Sequence, residues 1–397
     1  MPSIFAPLQA APDDPILGLT ELYKNDPCPE KVNLGAGVFQ DEDGKLPLMK
    51  AVAEAEKRMA ASGMPHGYIP MSGLPAYCTA VQKLVFGDTH EAVLAGRICT
   101  VQSIGGTGAL HMAGLFAHLV LGLAEIVVPD PTWGNHITIF AHTGLKVSKY
   151  PYYDKATGGL DFDAMTAHLR TLEPGTAVLL HACCHNPSGV DLTQENWKTV
   201  VEIVRERKLF PVLDIAYQGF GQGLVEDAFA PRYFADEKLD FLVCSSCSKN
   251  FSLYGERAGG LHVVTPNAAE AAVVQSILKS LVRAEYSNPP THGARIVDVV
   301  LNDPELHQLW IDELTGMRGR IHAMRNALTD AGTRIGVDLS FAVRQAGMFS
   351  FTGLNPEQMQ ALREDYSVYG VKNGRICVSG LNTRNVEYVA KAIAAVL

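Results

Sequence analysis

Charge is scarce in this chain: charged residues fill only 19% of its 397 positions. No cluster of lysines or arginines gathers them, and the formal net charge is −9, so a nucleic-acid surface is not expected. No apolar run approaches the length of a membrane span. The opening stretch, MPSIFAPLQAAPDDP, lacks a basic start followed by an apolar block, so no secretory leader is expected. No disulfide framework is expected either. Of eight cysteines, Cys99, Cys183, Cys184, Cys244 and Cys377 lie inside apolar, strand-like segments and read as reduced core residues. Internal repeats and low-complexity segments are missing. These absences leave a cytoplasmic enzyme acting on small molecules, with no nucleic-acid or membrane partner.

What is present is enough chain for a large domain with a smaller one attached. Short apolar runs ending in polar or glycine loops recur through the middle: AEIVVPDP, LKVSKYPYY, TAVLLHACCHNPSG, LFPVLDIAYQGF, DFLVCSSCSKN and GGLHVVTP. Helical stretches such as ALHMAGLFAHLVLG and TQENWKTVVEIVRERK lie between several of them. Unbroken apolar strands alternating with helices predict an α/β fold with a mainly parallel central sheet covered on both faces. Functional groups of such sheets gather at the carboxyl ends of the strands. A helix is expected around 47–62. Residues 1–30, rich in proline and turn formers, read as an extended arm. Beyond about residue 304 come a long helix, the strand-like GMFSFTGL, the helix NPEQMQALREDY, and a hairpin, SVYGVKNGRICVSG, turning at Asn373-Gly374. This is a smaller α+β unit.

Several segments could carry chemistry. In CSSCSKNFSLYGERAGG a lone lysine, Lys249, ends an apolar strand, where a buried ammonium is costly and losing the proton is the escape. SIGGTGALHMAG opens a helix with glycines, which suits a phosphate, although it is neither a P-loop nor a G-x-G-x-x-G fingerprint. Asp214 ends the strand of PVLDIAYQGF, with Tyr217 three residues on; it is a helix cap or the partner of a cation. HACCHNPSG brings His181, Cys183, Cys184 and His185 close, but adjacent cysteines on an extended strand point to opposite faces, so no metal is expected. Asn186 follows, able to donate to a ligand oxygen. Trp133, in PTWGNH, could stack on a flat ring, and Arg375, in NGRICV, suits a carboxylate. A phosphate cradle, a stacking ring, an acid, an amide, a tyrosine, a lysine and a carboxylate-binding arginine form the set that pyridoxal phosphate needs.

The run SSCSKNFSLYGERAGG resembles the lysine motif of class I aminotransferases, the aspartate and aromatic amino-acid branch. The likeness extends through DPILGLTELY, NLGAGVF, GGTGAL, CCHNPSG, DIAYQGF, YSNPPTHGARIV and GRICVSGLN, nearly the whole chain. It implies the fold-type I architecture of pyridoxal-phosphate-dependent transferases and a homodimer with shared active sites. The implied division is an arm over 1–14, a small domain over 15–46 and 311–397, and a large domain over 47–310. By the same resemblance Lys249 is the Schiff-base lysine and Asp214 faces the pyridine nitrogen. Tyr217 and Asn186 bind the ring oxygen, and Trp133 stacks on the ring. Gly106, Thr107, Ser246 and Arg257 hold the phosphate, helped by Tyr68 from the other subunit. Arg375 grips the substrate α-carboxylate beside the Gly37 backbone, and Arg283 of the other subunit meets a distal carboxylate. The chain departs from the family in having Ser188 within Pro-Ser-Gly and Ser252 where glycine is common.

The implied reaction is ping-pong exchange of an amino group, through the pyridoxamine form, between an amino acid and 2-oxoglutarate. Leu46, Gln40 and Gly67 replace polar or charged residues typical of the aspartate type, whereas Val38, Thr107 and Asn288 are aspartate-like. GYIPMSGL and NFSLYGERAGG look most like bacterial aromatic aminotransferases. An aromatic-amino-acid aminotransferase that also accepts aspartate and glutamate is expected, with aspartate aminotransferase as the alternative. Another reaction on the same cofactor fold, or a nucleotide-dependent dehydrogenase, stands further off.

Overall fold

The computed structural model describes residues 3–10 and 15–397; positions 1–2 and 11–14, all of them in the expected arm, lie outside the described residues. A seven-stranded sheet forms its centre: β1 (Ile98–Ile104), β2 (Glu125–Asp130), β3 (Lys146–Pro151), β4 (Ala177–His181), β5 (Phe210–Ile215), β6 (Phe241–Ser246) and β7 (Ala258–Val264). Their order is β1-β7-β6-β5-β4-β2-β3. All pairs are parallel except those of β7, which runs antiparallel to both β1 and β6. β1 therefore points the same way as the rest, and the carboxyl ends of β1, β2, β4, β5 and β6 share one edge with the start of β7.

The unbroken apolar strands have the reason expected of them. Val212 and Leu242 point into one buried cluster, Leu213 and Val243 into another on the opposite face. A strand buried on both sides cannot alternate with polar residues. Helices cover both faces, among them Gly105–Leu115 and Ala268–Glu285 against the first cluster.

The remaining elements close over the functional edge. Helix Pro304–Arg334 is capped by Asp303, whose carboxylate accepts from the Glu305 and Leu306 N–H groups. It runs unbroken through position 310/311, the domain boundary implied by the resemblance. Trp310 on this helix stacks on Phe251 at 4.6 Å and donates to the Asn250 carbonyl, fixing the segment next to Lys249. The buried Arg325 guanidinium donates to the carbonyls of Ala342, Gly347 and Phe349 and to Ser350 Oγ, setting the short strand Phe349–Phe351 in place.

Two expectations need correcting here. Residues 1–30 are not all extended: Pro15–Asn25 is a helix, and its Leu19 is buried. Gly35 makes room for it, since a Cβ there would stand 2.2 Å from Leu19 Cδ2. The segment after 367 is not a two-stranded hairpin. Val368–Tyr369 pairs in parallel with Val32–Asn33, and Arg375–Cys377 pairs antiparallel with Phe349–Phe351. The turn itself exists, with the Gly374 N–H donating to the Val371 carbonyl and Gly374 at φ +91°. Its two arms bond to different partners because each finds a longer-range strand to complete.

Candidate active site

The carboxyl edge of the sheet opens into a cavity of about 250 Å³. Of the thirteen residues to which the resemblance gives a cofactor or substrate role, all but two line it: Gly37, Gly106, Thr107, Trp133, Asn186, Asp214, Tyr217, Ser246, Lys249, Arg257 and Arg375. The two that do not are Tyr68, 95% exposed, and Arg283, also exposed. They sit on neighbouring segments: Asn288 Nδ2 donates to the Ile69 carbonyl at 3.3 Å, and Arg283 Nη1 donates to Ser287 Oγ. Gln40, Leu46 and Gly67, read as tuning specificity, also lie off the cavity wall of a single chain.

Strand order explains the grouping. Asp214, near the end of β5, is registered with His181 on β4 and Cys244 on β6. Lys249 follows the end of β6, with its Nζ 4.7 Å from the Tyr217 ring centre. Burial lowers its amine from 10.5 to about 8, helped by Arg257 and Arg375 and opposed by Asp214. Burial alone would raise the Asp214 carboxyl, but the hydrogen bond from His136, with the Lys249 ammonium nearby, outweighs it and holds it below the usual value. The site thus joins an amine that sheds its proton readily to a carboxylate that stays ionised.

His136 was not picked out from the sequence, although it lies in PTWGNH, three residues past Trp133. It begins a chain whose polarity is set by a backbone amide. The Asn186 N–H can only donate, and it donates to His181 Nδ1 at 3.2 Å. That leaves His181 Nε2 as the donor to Thr132 Oγ1 at 3.3 Å, Thr132 as donor to His136 Nδ1 at 2.8 Å, and His136 Nε2 as donor to Asp214 Oδ2 at 3.0 Å. Burial brings the His181 imidazole down to about 3, in keeping with its neutral role.

At the other end of the cavity lies an anion cradle. Helix Gly105–Leu115 opens on Gly105, at φ +64°, whose N–H donates to the Arg257 carbonyl. A Cβ on Gly105 would stand 2.5 Å from Arg257 Nη2, and one on Gly106 3.1 Å from Ser246 Cβ. Only glycines leave this concavity open, and it combines helix N–H groups, a hydroxyl and a guanidinium. A phosphate dianion fits that donor set.

Arg375 faces the cavity from the closing elements. Its Nη2 donates to the Gly35 carbonyl at 3.0 Å and its Nη1 to Asn186 Oδ1 at 3.3 Å, while its guanidinium lies 4.4 Å from the Phe349 ring centre. Its Nε has no hydrogen-bond partner. Phe349, Tyr254 and Ser248 also line the cavity and were missed. Phe349 stood inside a segment read only as a strand, and nothing in its spacing marks it.

The metal reading is corrected in its geometry. The strand stops at His181 and Cys184 is left-handed, at φ +51°, so Cys183 and Cys184 do not point to opposite faces. Their thiols and the Asp227 carboxylate lie within 4.8 Å of one another. Asp227 is already occupied by the N–H groups of Gly219, Gly221, Gln222 and Gly223. All cysteines are free; Cys28 is part-exposed and the rest are buried.

Comparison with known proteins agrees with this geometry. Residues 29–393 match the family model for aminotransferase class I and II. Over its full length the chain is 47% identical to an aspartate aminotransferase of Pseudomonas aeruginosa, covering 100% of both proteins. It is 48% identical to an aromatic-amino-acid aminotransferase of Escherichia coli, over 99% of this chain and 100% of that one. The structure of an aromatic-amino-acid aminotransferase from Burkholderia pseudomallei, covalently bound to pyridoxal phosphate, superposes with a TM-score of 0.98 at 51% identity, covering 100% of both chains. No helix among the described residues is long and apolar enough to cross a membrane. The dehydrogenase alternative falls. The chain belongs to the class I and II aminotransferases and is a fold-type I, pyridoxal-phosphate-dependent transaminase.

Proposed function

We propose that this enzyme moves the amino group of tyrosine or phenylalanine to 2-oxoglutarate, accepts aspartate and glutamate as well, and works in the cytoplasm as a homodimer with shared sites. The observation that carries the reading is the position of Arg375. A carboxylate-binding guanidinium with an unpartnered Nε faces a cavity whose wall includes Trp133, Tyr254 and Phe349. That pairing suits an amino acid with an aromatic side chain.

Bound pyridoxal phosphate supplies the electron sink that lets the substrate Cα–H bond break. The chain's residues do the rest. Arg257, Ser246, Gly106 and Thr107 would hold the phosphate. Asp214, kept ionised by His136, would pair with the ring nitrogen, Trp133 would stack on the ring, and Asn186 and Tyr217 would bind the ring oxygen. Lys249 would anchor the cofactor and, once freed by the substrate amine, its Nζ would take up the Cα proton and later give it back. An amine brought down to about 8 is suited to both directions of that transfer near neutral pH.

The shared site is supported by the two residues that one chain leaves unused. Tyr68 and Arg283 are exposed on neighbouring segments, as a pair reaching into another subunit's cavity would be, and the arm exposes Ile4, Phe5 and Leu8. The test is kcat/KM for phenylalanine, tyrosine and aspartate with 2-oxoglutarate. A large aspartate preference would overturn the aromatic reading in favour of an aspartate aminotransferase, which the Pseudomonas relative and the aspartate-like Asn288 favour. Keto-acid-independent turnover would point to another reaction on the same cofactor.

A further inference from the structure

The loop from Ala182 to Asp191 carries Asn186, and Asn186 has two duties. Its N–H starts the chain through His181, Thr132 and His136 to Asp214, and its Oδ1 accepts from Arg375 Nη1. The loop has no regular secondary structure, and it reverses at the left-handed Cys184. Such a reversal turns consecutive backbone N–H groups inward, where each needs an acceptor.

One side chain meets that need. Asp191 Oδ2 accepts from the Cys184 N–H at 2.7 Å, and Oδ1 accepts from the His185 N–H at 2.8 Å. These are the two peptide groups just before Asn186. The rest of the loop is tied elsewhere: Ser188 Oγ pairs with His185 Nδ1 and accepts from the Val190 N–H, and Tyr152 donates to the Val190 carbonyl. Asp191 does not line the cavity and touches neither the cofactor cradle nor Arg375. Its carboxyl is raised to about 6, chiefly by burial and with Asp227 adding, while the two N–H bonds and Arg325 favour the anion. Each of its two oxygens accepts one of these N–H bonds, and both bonds favour the anion.

We propose that Asp191 is a positioning residue of the transamination site: by holding the Cys184 and His185 amides it sets Asn186, and through Asn186 both Arg375 and the hydrogen-bond chain to Asp214. The inference rests on the cofactor and substrate roles given under Proposed function.

The test compares Asp191→Asn, Asn186→Ala and the double variant, each loaded with pyridoxal phosphate. Three readouts separate positioning from mere folding. They are KM against kcat for phenylalanine, the Kd of 3-phenylpropionate as an unreactive carboxylate, and the pH midpoint of the visible cofactor band. The melting temperature of the cofactor-stripped chain is followed alongside. Asp191→Asn should raise KM and Kd together by roughly ten-fold, as loss of a charge-assisted bond implies. It should move the band midpoint in the same direction as Asn186→Ala. The double variant should be no worse than Asn186→Ala alone, because both act through one group. Asp191→Glu keeps the charge but displaces the amides by a methylene, and it should shift the same three readouts if Asp191→Asn fails to fold. Unchanged KM, Kd and midpoint with a lowered melting temperature would reduce Asp191 to a loop staple, as would effects that add to those of Asn186→Ala. If the wild-type enzyme itself showed no keto-acid-dependent turnover, the functional reading would fail, not the positioning role.

Discussion

Lys249→Met should make the cofactor-stripped enzyme more stable while abolishing multiple-turnover transamination. The folded site lowers the Lys249 amine from 10.5 to about 8, with burial as the main cause. That difference corresponds to roughly 3 kcal/mol. Below pH 8 the folded chain must hold an ammonium in an enclosed site; above 10.5 the amine is neutral in both states. The unfolded chain binds this proton more tightly between those limits, so wild-type stability gains from this group as pH rises from about 8 to 10.5. Methionine removes the penalty and fills similar space. Urea unfolding of the stripped wild type and variant at pH 7 and pH 10.5 measures the effect. The variant should lead by up to about 3 kcal/mol at pH 7 and the gap should narrow at pH 10.5. A gap that does not depend on pH, or a variant less stable at pH 7, would refute the claim that this site strains an ammonium.

Ser252 is left-handed, at φ +53°, and its buried hydroxyl has no partner. Ser252→Gly should therefore stabilise the enzyme by roughly 0.5–1 kcal/mol in urea unfolding, with turnover within about two-fold of wild type. His136→Phe removes the donor that holds the Asp214 carboxyl down, and kcat/KM should fall by roughly ten- to a hundred-fold with weaker cofactor retention on dialysis. Arg283→Ala should cut kcat/KM for aspartate by roughly thirty-fold or more and leave phenylalanine within a few-fold, measured in parallel assays. An equal loss for both substrates would remove Arg283 from distal-carboxylate binding.

Much of the fold could be read from the sequence because its sheet is buried on both faces. Such strands advertise themselves as unbroken apolar runs, and the polar residue ending each run, Asp214 or Ser246, then stands out. The site was legible to the same extent: Lys249, Asn186 and Trp133 follow strand ends. What stayed hidden depends on contacts between distant segments. His136 matters only because β2 and β5 bring its Nε2 within 3.0 Å of the Asp214 carboxylate. Phe349 matters because Arg325, on another helix, sets its strand under Arg375. Cys184 was misjudged because a left-handed residue after a strand looks, in sequence, like one more strand position. The expected hairpin failed for the converse reason: a good local turn says nothing about which partners its arms will choose.

The single reversed strand, β7, has a bearing on engineering. A parallel strand after β6 would need a crossover to carry the chain back to the far edge. Because β7 runs the other way, the chain leaves β6 and re-enters the sheet at the same edge, with Lys249 and Arg257 on one short excursion. The Lys249 amine and the Arg257 guanidinium therefore travel as one cassette. Residues 246–258 could be exchanged between relatives as a unit, whereas a single inserted residue within them would throw both groups out of alignment at once.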